Sequence, residues 1–577
     1  MKHVSLDLEL DFEAKSVVGS AALDFERSDA GAPLVLDAHH LEIRGVQGAD
    51  GSPRSYELSA HDPVLGSALT IELEPADSRV VVAYRTSGNT EALQWLGPEQ
   101  TSGEFPFLFT QGQSILTRSW IPLQDSPGVR ITYDARVRAP RDLVVVMSAE
   151  QLGRHEDGTY RFRLDKPIPP YLIALGAGNL EFAAISGRAG VWAEPEVLAA
   201  AAYEFADTEA MIRTAETLFG PYRWGRYDLL VLPPAFPFGG MENPLLTFVT
   251  PTVIAGDRSL VGLIAHELAH SWSGNLVANA TWRDFWLNEG FTVYLEQRIM
   301  EEVFGPERSN MEKALDFDDL VAELARQEPW EQVLHVDLAG KHPDDGFSNV
   351  PYQKGALFLR RLEQVFGRER FDEFLLGYFD DHAFQSLTTE QFREYLEREL
   401  LSSSDRASEV DLERWLYEPG LPETAVRASS DGIAAVDRQV ERLAAGTRPG
   451  DLDTGGWVTQ QWLHFLENLP ADMDSEGMGR LDSTFSLTAT GNNEILCAWL
   501  VRCVRADHAP AYERLRQFLM TVGRRKFLSP LYEALAETPA GRERALAIYA
   551  QARGRYHAVS SGSIDRILDW KTAPTSS

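Results

Sequence analysis

His266-Glu267-Leu268-Ala269-His270 sets two imidazoles four residues apart with a carboxylate between them. On a helix, positions i and i+4 share a face one turn apart, so both rings can reach one ion, and Glu267 lies beside that face. Glu289 follows after eighteen intervening residues, early in the helical pattern "TWRDFWLNEGFTVYLEQRIMEEVFG". Two imidazoles and a carboxylate leave zinc's fourth position open for water, the arrangement of catalytic rather than structural sites. An ordinary buried histidine pair beside a surface acid is the competing reading. Just upstream, Gly239-Gly240-Met241-Glu242-Asn243 holds a lone acid near the histidines.

These groups need helices to hold them. Leu260, Leu263 and Ile264 form a core-facing stripe for the histidine helix; Asp257 and Ser259 are candidate N-caps and Gly274-Asn275 a candidate stop. The glutamate helix is expected to pack antiparallel to it. Far upstream, Val4, Leu6, Leu8, Leu10 and Phe12 alternate with mostly polar residues, the period-two pattern of a half-buried strand. "ALTIELEP", "SRVVVAYR", "DLVVVMSAE" and "TYRFRLDKP" add strands, with Asp157-Gly158 as a hairpin turn. Residues 1–185 therefore read as an all-β domain. At "EVLAAAAYEFADTEAMIRTAETLFG" the apolar spacing changes to three and four, opening a mixed α/β domain over 186–430. "LLSSSDRASEVD" is a polar loop, residues 445–577 keep helical spacing without an evident sequence repeat, and the "TAPTSS" end is expected to fray. The fold class is multidomain α+β.

Composition narrows the function. The 577-residue chain is 44% hydrophobic and 24% charged, and no apolar run approaches the length of a membrane span. The formal charge of −32 argues against nucleic acid and anionic membranes as partners and favours cationic ligands, although an acidic surface also simply aids solubility. Cys497 and Cys503, six apart on a helical pattern, are too distant to bridge. With no secretory signal at "MKHVSLDLELDFEAK", a reducing, cytoplasmic location is expected.

"GGMEN", "HELAH" and "WLNEG", in this order and spacing, resemble the zinc aminopeptidases of the aminopeptidase N superfamily. The runs "PFGGMENPLLTFVTPT", "TQGQSILTRSWIPLQDSP" and "SNVPYQKG" are most similar to its leukotriene A(4) hydrolase and aminopeptidase B branch, over nearly the whole chain. The resemblance implies an N-terminal β-saddle domain, a thermolysin-like (gluzincin) catalytic domain and a C-terminal all-α helical-repeat domain. It also implies one zinc per chain, held by His266, His270 and Glu289.

Peptide hydrolysis then gives Glu267 the role of general base, passing a water proton to the leaving amine. Tyr352 in "SNVPYQKG" matches the family tyrosine that donates to the tetrahedral intermediate; read alone it is a packed aromatic. A carboxylate near the metal can anchor a cationic α-amino group, which makes Glu242 the residue that would restrict cleavage to the first peptide bond. Gly239, Gly240 and Met241 would let the substrate backbone come close, and family precedent adds Gln113 on the amine, otherwise a strand residue. Glu296, seven after Glu289, returns to the same helix face, where it either orients a liganding histidine or forms a surface salt bridge. Arg524 and Lys526 match residues that receive a peptide's C-terminal carboxylate, against a solvated basic turn. Asp344 matches an acidic pocket residue, with adjacent Asp345 leaving that alignment open by one.

The leukotriene hydrolases carry tyrosines where this chain has Phe238 and Phe347, so the epoxide hydrolase activity of a bifunctional enzyme is a secondary reading. A zinc endopeptidase should lack Glu242 and Gln113, and a catalytically silent scaffold should have lost Glu267 or Tyr352. The expected partners are short peptides with free N-termini, with the protein itself a monomer or weak oligomer.

Overall fold

The computed structural model describes residues 1–29, 31–88 and 90–571; the "TAPTSS" end lies outside them. The alternation at the N-terminus becomes the strand His3–Asp11, with Val4, Leu6, Leu8 and Leu10 buried. It pairs parallel with Ile131–Arg138 and antiparallel with Ser16–Asp24. The seven-stranded sheet around it runs in the order Glu150–Arg154, Tyr160–Ile168, Ile131–Arg138, His3–Asp11, Ser16–Asp24, Arg79–Thr86, Leu41–Gly48. A four-stranded sheet lies alongside, and its strand Phe107–Thr110 runs directly into Gln111 and Gln113. The apolar core of this region extends to Met241, Trp282 and Phe285, so the β-domain backs the segments that carry the candidate chemistry.

The next sheet has the order Glu181–Ala184, Ala189–Ala193, Tyr227–Val231, Leu246–Val249, Gly240–Met241. Its first strand comes from the segment read as the end of the β-domain. Gly240–Met241 is an edge strand, antiparallel to Leu246–Val249, and this delivers Glu242 to the rim of the sheet. The helices Gly262–Ala269, Trp286–Phe304, Pro306–Leu324 and Gly355–Phe366 follow, and eight further helices between Asp431 and Leu568 enclose a third core. This is the expected β-domain, catalytic α/β domain and all-helical domain. Cys497 and Cys503 are buried free thiols, and no helix among the described residues is long and apolar enough to cross a membrane.

The expected start of the histidine helix differs. The histidine helix starts at Gly262, without a side-chain cap. Asp257 instead accepts from the Ser259 amide at 2.9 Å, and the Ser259 hydroxyl meets Thr459 Oγ1 at 2.6 Å, so both candidate caps are already engaged. The run opening the second domain is two helices, Pro195–Glu204 and Thr208–Phe219, ending at Gly220 with φ +93°.

Helices Trp286–Phe304 and Gly355–Phe366 touch backbone to backbone. A Cβ at Gly290 would stand 2.7 Å from Gly355 Cα and 2.9 Å from Pro351 O, so neither glycine admits a side chain without separating the helices. Gly290→Ala should lower stability by about 1–3 kcal/mol, the usual cost of overpacking. It should also reduce activity, because Glu289 and Tyr352 flank this contact; an unchanged thermal unfolding midpoint would remove the packing argument.

Candidate active site

His266 Nε2 and His270 Nε2 are 3.2 Å apart, and Glu289 Oε2 lies 3.4 and 3.5 Å from them. The other ring nitrogens set the tautomers. His266 Nδ1 donates to Glu296 Oε2 at 2.9 Å, and His270 Nδ1 donates to the Ser273 carbonyl at 3.0 Å, beside Thr292 Oγ1. Both Nε2 lone pairs therefore face inward, towards a buried carboxylate oxygen that has no hydrogen-bond partner. Such a convergence of acceptors requires a cation. Tetrahedral donors about 2.0–2.1 Å from zinc are separated by about 3.3–3.5 Å, so the triangle fits this ion without rearrangement.

Burial pulls the His266 pKa down, but Glu289 and Glu296 outweigh it and hold that ring above its ordinary value. His270 is pushed down to about 4 by burial, opposed by Glu289. Glu267, 5% exposed, is raised well above the carboxylate range by burial; His266 opposes this and Glu242, Glu289 and Glu296 add to it. A Cβ on Gly240 would collide with the Glu267 carboxylate, which is why the edge strand is glycine at this point.

Glu242 is 4% exposed. Its Oε1 accepts from Tyr171 OH at 3.2 Å, and Asn275 Nδ2 donates to its carbonyl at 2.7 Å. Gln113 Nε2 is buried and unpartnered on the same cavity. Tyr352 sits in a π-helical turn, Val350–Lys354, with its ring stacked 6.3 Å from that of His266. Burial, then Glu289 and Glu242, keep its phenol protonated well above the ordinary range.

Gln113, Glu242, His266, Glu267, His270, Glu289, Glu296 and Tyr352 line one cleft of about 640 Å³. Phe238 and Phe347 are on its wall, and Phe347 stacks on Phe285 at 4.5 Å, so hydrocarbon occupies the positions where the resemblance leads one to expect hydroxyls. Arg524 and Lys526 also line it, but both are paired with Glu494, at 3.0 and 2.9 Å. Asp344 does not belong to the lining; its carboxylate accepts from Ser114 Oγ at 2.6 Å, next to Gln113.

Sequence reasoning missed Tyr171, Glu494 and an acidic wall. Glu312, Asp316, Asp319 and Glu323 line the cleft from the helix Pro306–Leu324, joined by Glu467. Their spacing of four, three and four is a helical stripe that was available to read. Burial raises Glu312 and Glu467 to about 7, with Arg308 opposing it at Glu312, and raises Asp316 well above its usual range. The lining as a whole carries ten carboxylates against three basic side chains.

Comparison with known proteins gives three consecutive family matches: the peptidase M1 N-terminal domain over residues 1–172, the peptidase family M1 domain over 203–415, and the "Leukotriene A4 hydrolase, C-terminal" domain over 457–568. The chain is 37% identical to a leukotriene A-4 hydrolase of Xenopus laevis, covering 97% of this chain and 96% of that protein. It is 38% identical to leucine aminopeptidase 2 of Yarrowia lipolytica, covering 92% and 86%. The solved structure of the yeast leukotriene A(4) hydrolase in complex with bestatin superposes with a TM-score of 0.92 at 33% identity, covering 99% of this chain and 95% of that one.

Proposed function

The chain belongs to the M1 peptidase family, on its leukotriene A(4) hydrolase branch, and from this premise we infer that it is a zinc-dependent aminopeptidase releasing N-terminal residues from short peptides. The observation that carries the reading is a buried carboxylate, Glu242, on the same cleft as the inward-facing triangle of His266, His270 and Glu289. Zinc held by that triangle would polarise the scissile carbonyl and lower the pKa of water at its open position to about 7.

The chain's own residues do the rest. Burial and the neighbouring carboxylates raise the Glu267 pKa, and a cation held by the triangle would return that carboxyl to its charged form, in which it takes the attacking water's proton and delivers it to the leaving amine. Tyr352 donates its hydroxyl hydrogen to the oxyanion as charge develops. Glu242, held by Tyr171, pairs with the substrate's α-ammonium, while the Gln113 amide lies on the same cavity as a second polar contact for that end. Gly239, Gly240 and Met241 offer a free strand edge to the peptide backbone. Arg524 and Lys526 receive a C-terminal carboxylate only in competition with Glu494, so the attraction for that end is tempered. A basic substrate side chain would draw the raised carboxyls of Glu312, Asp316 and Glu467 into their charged form, so the acidic wall favours peptides with basic side chains.

Glu296 fixes the His266 ring and thereby the direction of its lone pair. Glu296→Ala should weaken zinc binding about 10–100-fold, the usual effect of losing such a partner, as read by competition with a chelating dye. Unchanged affinity would reduce Glu296 to a cleft-wall charge.

The reading as a whole is tested by following one tripeptide, free and N-acetylated, with and without chelator, by mass. Chelator-sensitive loss of the first residue from the free peptide alone is expected; internal or acetyl-tolerant cleavage would overturn it. Epoxide hydrolysis of a lipid acid is the weaker reading, because Phe238 and Phe347 supply no hydroxyls and a carboxylate-lined cleft repels an anionic tail.

A further inference from the structure

A second group of metal-binding side chains lies in the β-domain, outside the cleft. His39 and His40 form the two-residue connection between strands Leu34–Ala38 and Leu41–Gly48, and His61 stands on the loop between Tyr56–Leu58 and Ser67–Ile71. The three rings gather with centroids 4.3, 4.6 and 5.0 Å apart. Their ligand nitrogens lie within 4.8 Å of one another. Glu91 Oε2 stands 3.9 Å from His39 Nε2. None of the three rings makes a hydrogen bond among the described residues.

The scaffold around them is tightly fixed. The His39 amide donates to the Arg118 carbonyl at 2.9 Å, and the Asp62–Gly66 turn is closed by reciprocal backbone bonds of 2.8 and 2.9 Å. Asp62 Oδ1 accepts from Val64 and Leu65, and Arg118 Nη1 donates to the Leu65 carbonyl. A Cβ on Gly66 would meet Ala38 O and, at 3.0 Å, His39 Nδ1, so the loop rests directly on the histidine turn and leaves His39 Nε2 directed to the Glu91 side. His40 adopts φ +54°, in the left-handed region, and its ring lies beside the other two.

We propose that His39, His40 and His61, with Glu91 as a fourth donor, form a second transition-metal site that ties the His39–His40 turn to the Ser59–Gly66 loop. Three imidazoles and one carboxylate suit Zn²⁺, Ni²⁺ or Cu²⁺ and not Mg²⁺ or Ca²⁺, which take oxygen ligands. His39 is 8% exposed, whereas His40 and His61 are exposed and free to rotate. Side-chain rotation therefore closes the gap from the present separations to the roughly 3.3–3.5 Å of tetrahedral donors. The site is independent of the peptidase centre and links the three-stranded sheet to the seven-stranded one.

The test uses tag-free, full-length enzyme already loaded with its catalytic zinc. Calorimetric titration with Zn²⁺ should show one further saturable equivalent, and Cu²⁺ at that site should give an electron paramagnetic spectrum with nitrogen hyperfine structure. Losing even an outer partner of a metal ligand costs about 10–100-fold in affinity, so His40→Ala with His61→Ala should weaken the extra equivalent by more than about 100-fold. Peptidase activity and the first equivalent should be unchanged. Both substituted side chains are exposed, and His61→Ala alone serves as the milder variant, with circular dichroism to verify folding. Retention of the extra equivalent by the double variant would overturn the proposal. So would the absence of any further saturable uptake by the zinc-loaded wild type, or weak uptake that never saturates.

Discussion

Glu267→Gln should leave zinc bound and peptide hydrolysis reduced by about 10²–10⁴-fold, the range supplied by a positioned general base. Glutamine keeps the shape of the side chain but accepts no proton. His266, His270 and Glu289 are untouched by the change, so metal content should stay at one zinc for each chain's peptidase centre. Two readings separate the possibilities: kcat on a tripeptide, and zinc by elemental analysis of the same sample. A tenth or more of wild-type kcat with zinc in place would reject Glu267 as the base. Loss of zinc together with activity would instead mean that the carboxylate's main work is to balance the charge of the site, where it is buried among Glu242, Glu289 and Glu296.

Glu242 has the second large effect, and it is selective. A charge-assisted hydrogen bond is worth about 1.5–3 kcal/mol, so Glu242→Ala should lower kcat/KM for free peptides by about 10–150-fold. Any slow cleavage of N-acetylated peptides should be unaffected, because they present no ammonium. Alanine also strands the Tyr171 hydroxyl, which now donates to Glu242 Oε1. Glu242→Gln retains an acceptor for Tyr171 and removes only the charge, so the two variants together distinguish lost attraction from a disturbed wall. Equal losses on free and acetylated peptides would end the anchor reading.

The convergence of His266, His270 and Glu289 was legible because its spacing is local. Two histidines one helical turn apart and a glutamate on the next helix are constrained by the period of the helix, which one chain displays in full. The first strand was legible for the corresponding reason, a period of two. Tyr171 was not: it comes from the turn Pro170–Leu172 and reaches Glu242 only through packing between the β-domain and the edge strand. Glu494 reads as an ordinary acid in the first turn of a helix, and nothing local announces that it pairs with both Arg524 and Lys526. The caps failed where a short-range preference met a long-range partner: Ser259 has the right type and place for a cap, and Thr459 takes its hydroxyl. The acidic wall was written in the helix period but lacked a reason to be noticed until the cleft was seen beside it.

The glycine contact between Gly290 and Gly355 separates two tasks of the cleft. It joins the helix of Glu289 to the segment of Tyr352 through main chain, so no side chain sets their spacing at that point. The carboxylates that colour the cleft sit on another helix, Pro306–Leu324, which packs against both of these elements but places no atom in the glycine contact itself. The groups that would do the chemistry and the charges that greet the rest of the peptide thus rest on different helices.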